Sequence, residues 1–360
     1  MVGDVDRAAV VALLGRVGPI QSQAARAPFL TASSRLPGVT HATISAAYEE
    51  HDLVRSTSLR GTVHTSLRSS HGALDAVARR TSTNLWCRTL KMTATDVARL
   101  RDRIEAATAD GWLPLPELHE QVRGWLAGDG FHDAVAASGE GVGSALFRGH
   151  SALLRRPLTG GWHQQGRYGY RTAARVLGDP PVDDETAVTE LVRTHLSAFG
   201  PATRHDISWW AGDGLRSIDA AIRRLGDELT STPGPEGLDY LDLAEPPAGG
   251  DADPGVRLVP EYDALLLGYA PRGRTRFADA KLIAYSWNRA NGVHAPTVLS
   301  GNKLRATWRL RSQGGRTSLQ VSMVPGERPL AEADVADQAA AVGRALGLHV
   351  GDVEVTPAAG

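Results

Sequence analysis

One order of secondary structure recurs three times along this 360-residue chain and limits its possible folds more than any single motif does. Each recurrence has three helical segments with apolar periodicity, followed by two strand-like segments that can pair as a hairpin. The recurrences cover residues 6–67, 97–172 and 187–243. Three helices followed by a β-hairpin is the order of a winged helix, a variant of the helix-turn-helix. The sequence therefore predicts three winged-helix units in tandem.

The last third of the chain has a different pattern, with strand-like runs and one amphipathic helical stretch, ADVADQAAAVGRALGL. The stretch EPPAGGDADPG, residues 245–255, is rich in Pro, Gly and Asp and is typical of a linker. The predicted fold class is α+β, with a C-terminal β-rich, barrel-like domain. The expected division is winged helix 1 over 1–95, winged helix 2 over 96–180, winged helix 3 over 181–250, and the β-rich domain over 251–360.

Composition excludes several classes of protein. A hydrophobic content of 42% with 22% charged residues predicts an ordered globular chain. The single cysteine, Cys87, excludes an intrachain disulfide framework and a multi-cysteine zinc site. No stretch approaches 18 uninterrupted apolar residues, and the N-terminus carries acids and a helical pattern instead of a basic segment followed by an apolar one. We expect a cytoplasmic protein with no membrane partner.

Charge is segregated along the chain although the formal net charge is only −1. Residues 141–178 contain six arginines and no acid, and residues 53–95 contain seven basic residues and one acid. Residues 227–253 contain eight acids and no Lys or Arg. This pattern fits one basic face that follows phosphates, with an acidic flank elsewhere. The alternative is a set of solvated faces that cluster by chance.

Two glutamines, Gln21 and Gln23, lie in the short stretch GPIQSQAARAPF between Pro19 and Pro28. Each proline disfavours helix at the residue before it, so the stretch is predicted to connect two helices. In an extended segment residues i and i+2 point the same way, so the two amides could converge on one point. The alternative is that they cap the following helix or face solvent.

Two predicted hairpins carry further candidates. In RGTVH, Thr62 and His64 share a face of a strand, where His64 could contact a phosphate or a nucleophilic water, and Arg60 could meet a phosphate. The alternative is a structural histidine. In the second hairpin basic and aromatic residues alternate, as suits contact with a DNA groove: Arg167, Tyr168, Tyr170 and Arg171. The tyrosines could equally pack the hairpin.

Four stretches in this order resemble the tandem winged-helix DNA glycosylases of the AlkZ and YcaQ type: IQSQAARAPFL, LRGTVH, GPATRHDISWWAG, and LVPEYDALLLGY with VHAPTVLSGNKLRATWRL. The resemblance covers most of the chain and implies a C-shaped scaffold around DNA. The family's catalytic motif is glutamine, usually an aliphatic residue, then glutamine or aspartate. Gln21 and Gln23 match its fixed positions and imply the two-glutamine, AlkZ-like branch, associated with crosslinks and bulky adducts of bacterial genotoxins. Ser22 departs from the family pattern, which usually has an aliphatic residue between the two fixed positions.

The predicted activity is monofunctional hydrolysis of the N-glycosidic bond of cationic, bulky alkylpurines, without a cofactor or metal. The stretch containing Gln21 and Gln23 has no lysine to act as a Schiff-base nucleophile. The expected partner is alkylated double-stranded DNA, bound by a monomer. The alternative function is a non-catalytic winged-helix DNA-binding protein or regulator.

Overall fold

A computed structural model describes residues 5–139, 141–249, 254–277, 280–288, 293–301 and 303–358. The first of the three predicted recurrences has the predicted order of elements: α1 (Arg7–Val17), β1 (Ile20–Gln21), α2 (Ala27–Arg35), α3 (His41–Glu49), β2 (Leu53–Thr57) and β3 (Val63–Leu67). Asp6 caps α1 by accepting the amide of Ala9 at 2.8 Å, and Thr40 caps α3 in the same way. The segment between α1 and α2 is thus framed by two helices, and a short strand, which was not predicted, begins it.

The second recurrence is preceded by a long helix that the sequence did not predict. The elements here are α4 (His71–Leu90), α5 (Ala94–Ala107), β4 (Leu113–Pro114), α6 (Leu115–Gly128), α7 (His132–Ala137), α8 (Gly141–Arg148), β5 (Leu153–Pro157), β6 (Tyr168–Thr172) and α9 (Ala173–Leu177). In α4 the hydroxyls of Thr81, Ser82 and Thr83 donate to carbonyls one turn earlier. These hydroxyls are therefore satisfied within the helix, although the run of polar residues hides the apolar periodicity of the sequence.

No helix of the described residues has the length and apolarity to cross a bilayer.

The third recurrence again has three helices and a hairpin: α10 (Asp184–Phe199), α11 (Arg204–Ala211), α12 (Leu215–Leu225), β7 (Leu229–Pro233) and β8 (Asp239–Leu243). A capping box begins α11, because the Thr203 side chain accepts from the Asp206 amide while the Asp206 carboxylate accepts from the Thr203 amide. A connection of four residues, 200–203, therefore separates α10 from α11.

The hairpins of the first two recurrences belong to one six-stranded sheet, with the order β1-β3-β2-β5-β6-β4. The connection between them is antiparallel pairing of β2 with β5, which places Ser56 opposite Leu154. The β7-β8 hairpin forms a separate two-stranded sheet. The first two units are therefore continuous through backbone hydrogen bonds.

The C-terminal part is rich in strands, as predicted: β9 (Val256–Val259), α13 (Ala264–Leu267), α14 (Ala280–Ser286), β10 (Trp287–Asn288), β11 (Val293–His294), β12 (Thr297–Ser300), β13 (Lys303–Gln313), β14 (Arg316–Met323), α15 (Glu332–Leu346) and β15 (Val350–Thr356). Its main sheet has the order β15-β14-β13-β12-β9. The barrel-like expectation needs correction, because among the described strands this sheet is open, with β9 and β15 at its edges.

One apolar core joins the beginning and the end of the chain. Phe29 and Leu30 of α2 belong to the same buried cluster as Trp308, Leu319 and Val342 from the C-terminal sheet and α15. The junction also contains an ion pair between Arg35 and Asp263, with two N–O contacts of 2.8 and 3.1 Å. Asp263 is fully buried and also accepts the amide of Leu265 at the start of α13. A charged pair thus fixes α2 against the C-terminal part.

Replacing Asp263 with Asn should lower the free energy of unfolding by about 3 kcal/mol, because Arg35 would keep its charge without a counter-ion. Urea unfolding followed by circular dichroism measures this loss. The control is Glu228→Gln, which breaks the exposed pair with Arg193 and should cost much less. Equal losses in the two variants would contradict a structural role for the buried pair.

Candidate active site

The two glutamines of the predicted motif lie in different environments. Gln21 is the second residue of β1 and is 9% exposed, whereas Gln23 lies beyond the strand and is exposed. Pairing of β1 with β3 places Gln21 directly opposite His64. Residues opposite each other in an antiparallel pair present their side chains on the same face of the sheet. The structure therefore brings Gln21 and His64 together, and Gln23 follows them at the solvent side.

His64 is a buried, neutral imidazole. Its Nδ1 lies 2.9 Å from the carbonyl oxygen of Thr62, so Nδ1 carries the proton and donates it. Burial, together with the charge of Arg60, lowers the pKa of His64 to about 3. At neutral pH the ring therefore has an acceptor lone pair at Nε2, which can accept a hydrogen bond from water. A cationic contact of His64 with phosphate, one of the two predicted roles, is disfavoured by this pKa.

Thr62 precedes β3 and is half-buried. Its hydroxyl donates to the carbonyl of Leu59 at 3.1 Å, and its own carbonyl accepts from His64. Thr62 thus sets the tautomer of His64 through its backbone. The sequence predicts only that the two side chains share a strand face, whereas the structure shows a direct hydrogen bond between the two residues.

Arg60 does not extend from a strand to meet phosphate, as the sequence predicted, but turns inward. It has a left-handed backbone, with φ of 54°, in the turn Leu59–Gly61. Its guanidinium donates to the carbonyl of Trp210 and lies 3.5 Å from Oε1 of Gln21. Gly212 permits the close approach of the turn that carries Arg60, because a Cβ at Gly212 would lie 3.1 Å from the backbone nitrogen of Arg60. Burial and the charge of Arg274 lower the pKa of Arg60 to about 10, so it remains a cation at neutral pH.

Arg60 begins a stack of cations and rings that reaches the C-terminal part. Its Cζ lies 4.7 Å from the ring centre of Trp209, and Arg274 lies 4.6 Å from the same ring and 5.0 Å from Trp287. Cations over aromatic faces are attracted by the ring quadrupole. The sequence does not indicate a role for Arg274, because Trp209 and Arg60 lie 65 and 214 positions away from it and no local pattern relates them.

The loop of the β5-β6 hairpin packs on the segment that holds the glutamines. Nε2 of Gln165 donates to the carbonyl of Gln23 at 2.8 Å. Trp162 stacks on Tyr48 of α3 with ring centres 4.4 Å apart and planes 9° apart. The second recurrence therefore lines one side of the candidate site. The sequence predicts only a contact of this hairpin with a DNA groove, and not its packing on the segment that holds the glutamines.

The four predicted hairpin residues differ in what they can reach. Arg167 is exposed. Tyr170 is 2% exposed and belongs to an apolar core, so its predicted contact with DNA is corrected to packing. Tyr168 is half-buried under Arg155, whose Cζ lies 4.3 Å from the ring centre. Nε of Arg171 donates to the carbonyl of Ala109 at 3.2 Å, which holds this side chain against the protein.

Comparison with known proteins gives a consistent result. A family model described as DNA glycosylase AlkZ-like matches residues 14–345. The interstrand DNA cross-link repair glycosylase of Streptomyces sahachiroi is 25% identical over 350 residues, which is 93% of this chain and 90% of that protein. The structure of the Streptomyces sahachiroi DNA glycosylase AlkZ matches with a TM-score of 0.80 at 20% identity, covering 99% of this chain and 95% of that one. At that identity the structural likeness shows a shared fold.

The low pKa of His64 predicts an acid-sensitive fold. Below about pH 6.5 the unfolded histidine takes up a proton that the folded one, with a pKa of about 3, refuses, so stability falls as pH decreases through this window. Between pH 8 and pH 5 this group alone should remove about 2 kcal/mol. Urea unfolding of wild type and His64→Gln at both pH values measures it. Equal acid losses in the two proteins would show that His64 titrates normally.

Proposed function

Because the chain belongs to the AlkZ-like DNA glycosylase family, we propose that it hydrolyses the N-glycosidic bond of cationic, bulky alkylpurines in duplex DNA. The proposed substrates are N7-alkylguanines and interstrand crosslinks, and the setting is DNA repair or resistance of a producer to its own genotoxin. The relative from Streptomyces sahachiroi, which is named for cross-link repair, supports this substrate class. Membership of an enzyme family argues against the alternative of a non-catalytic regulator.

The observation that carries the proposal is the arrangement of Gln21 opposite His64, with Arg60 at its amide oxygen. A purine alkylated at ring nitrogen 7 is already cationic and leaves without being protonated. The sugar then becomes oxocarbenium-like, and water arrives on the face opposite the base. The amides of Gln21 and Gln23 turn dipoles toward the sugar and hold the water, and neutral His64 accepts a hydrogen bond from it.

Arg60 has a different part in this chemistry. Its donation to Oε1 would orient the amide of Gln21, so that the remaining lone pair and the NH₂ group keep a fixed direction. Since the water attacks a cation, it needs little activation by a base. Neutral bases such as uracil, which are poor leaving groups without protonation, would therefore be left in place.

We also propose that the three helix-and-hairpin units are winged helices, divided near residues 95, 180 and 250, that surround DNA as a C-shaped scaffold. The element order α1–α3 with β2-β3, and α10–α12 with β7-β8, supports this division. Arg167 is the proposed contact to a phosphate beside the lesion, and its exposure at the end of the loop whose Gln165 contacts Gln23 supports this role.

Replacing Gln21 or Gln23 with Ala should slow single-turnover release of 7-methylguanine from a labelled duplex by about 10² or more, because each amide is a preorganised dipole of the site. The same variants should slow unhooking of a nitrogen-mustard crosslink. DNA affinity, measured by fluorescence anisotropy, should be retained. Release at the wild-type rate by both variants would remove the glutamines from catalysis, and a wild type that binds DNA but releases neither lesion would contradict the proposed substrates.

Replacing Arg167 with Ala should weaken binding to duplexes of any sequence and reduce the slope of log affinity against log salt by about 1, as expected for one lost phosphate contact. Anisotropy titrations over a range of salt concentrations measure the slope. Arg193→Ala removes the same charge from an arginine that pairs with Glu190 and Glu228, and should leave the slope unchanged. A sequence-dependent loss would instead indicate a contact with base edges.

A further inference from the structure

The serine between the two glutamines is buried and connected to a line of hydroxyl groups. Oγ of Ser22 lies 2.7 Å from Oγ1 of Thr65, and Oγ1 of Thr65 lies 2.7 Å from the hydroxyl of Tyr48. At one end Ser22 donates to the carbonyl of Ile20 at 3.0 Å, and at the other Nη2 of Arg55 donates to Tyr48 at 3.2 Å. All four side chains are at most 3% exposed. Solvent therefore cannot replace these partners.

The direction of this chain is fixed by its two ends. A carbonyl can only accept and a guanidinium can only donate, and each hydroxyl has one proton to give. The single assignment that satisfies all four contacts runs from Arg55 through Tyr48, Thr65 and Ser22 to the carbonyl of Ile20. Hydrogen bonds aligned in this way polarise one another and are strengthened in a buried setting.

Arg55 also holds the far side of the same segment. Its Nη2 also lies 3.2 Å from the carbonyl of Ala25 and 2.9 Å from that of Trp162, so the two protons of this nitrogen are shared among three acceptors, Tyr48 included. One buried guanidinium thus reaches Ile20 through the hydroxyl chain and Ala25 directly, on either side of Gln21 and Gln23. The amide of Ser22 adds a backbone bond to the carbonyl of Val63 at 2.7 Å.

From this geometry we propose that Ser22 is a positioning residue for the glycosylase reaction, whose hydroxyl fixes the backbone between the two catalytic amides. The proposal rests on the proposed function. Ser22 does not touch the reacting atoms. It sets the direction from which Gln21 and Gln23 meet them, and here a hydrogen bond takes the place of the apolar packing expected at the middle of the motif. Small displacements of catalytic groups slow chemistry strongly, while binding of DNA depends on other surfaces.

The test compares Ser22→Ala with Ser66→Ala. Ser66 lies next to Thr65, is equally buried, and its hydroxyl has no hydrogen-bond partner among the described residues. Ser22→Ala should lower the single-turnover rate of 7-methylguanine release about tenfold without changing DNA affinity. Ser66→Ala should leave both values unchanged. Equal rates for wild type and Ser22→Ala, or equal losses in the two variants, would overturn the positioning role.

Thr65 offers a rescue. Thr65→Val keeps the shape but removes the hydroxyl, and should slow release as Ser22→Ala does, whereas Thr65→Ser should restore most of the rate. Failure of Thr65→Ser to exceed Thr65→Val would assign the effect to packing and overturn the proposal. This comparison separates a hydrogen-bond chain from a general loss of stability.

Hydrogen exchange keeps this test independent of activity. Amides in a peptide covering residues 18–26 should exchange faster in Ser22→Ala than in wild type or Ser66→Ala, measured by mass spectrometry on the full chain. Unchanged exchange would overturn the holding role of Ser22. If wild type itself releases no base, that failure belongs to the proposed function, and faster exchange in Ser22→Ala still supports the hydroxyl chain.

Discussion

The pairing of a two-residue strand, Ile20–Gln21, with β3 is the constraint on which the site depends. Without this pairing the segment between α1 and α2 would be a loop whose backbone, and so the direction of the Gln21 side chain, would not be fixed by the sheet. With it, Gln21 lies opposite His64, and His64 in turn takes its tautomer from the carbonyl of Thr62. Strand pairing thus fixes the position of Gln21, and the carbonyl of Thr62 fixes the orientation of the His64 ring. The rest of the first recurrence, with its capped helices and paired hairpin, supplies the rigid frame that such a short strand needs.

Much of the fold could be predicted because it follows periodicity, but the site could be predicted only in part. The recurring helices and hairpins and the position of Gln21 and Gln23 were readable from local pattern. The inward turn of Arg60 was not, because it depends on Trp209 and Gly212, about 150 positions away. The sequence predicts a DNA contact for Tyr170, because alternation of basic and aromatic residues does not show which face of the hairpin packs against the protein. The sequence does not indicate helix α4, because the polar run of residues 81–83 hides its apolar periodicity, and only the structure shows that these hydroxyls are satisfied within the helix.

Some of the arginines lie in the interior of the protein and not at its surface. Arg55 and Arg274 are each 1% exposed, and each lies over aromatic rings and donates to backbone carbonyls. Arginine suits this use, since its guanidinium is weakly hydrated, planar and rich in donors. Charge counts along a sequence therefore overstate the positive surface available to DNA. Exposed residues such as Arg167 are the ones that we propose to meet phosphate.

The six-stranded sheet that spans the first two recurrences has a consequence for how the chain can be divided. A fragment ending at residue 95 would keep β2 but lose β5, so the backbone donors and acceptors of β2 would lie at an open edge. An uncovered edge of this kind is a template for pairing with other chains. We therefore expect such a fragment to aggregate and not to fold as a small stable unit, since it also loses the C-terminal side chains that complete its apolar core.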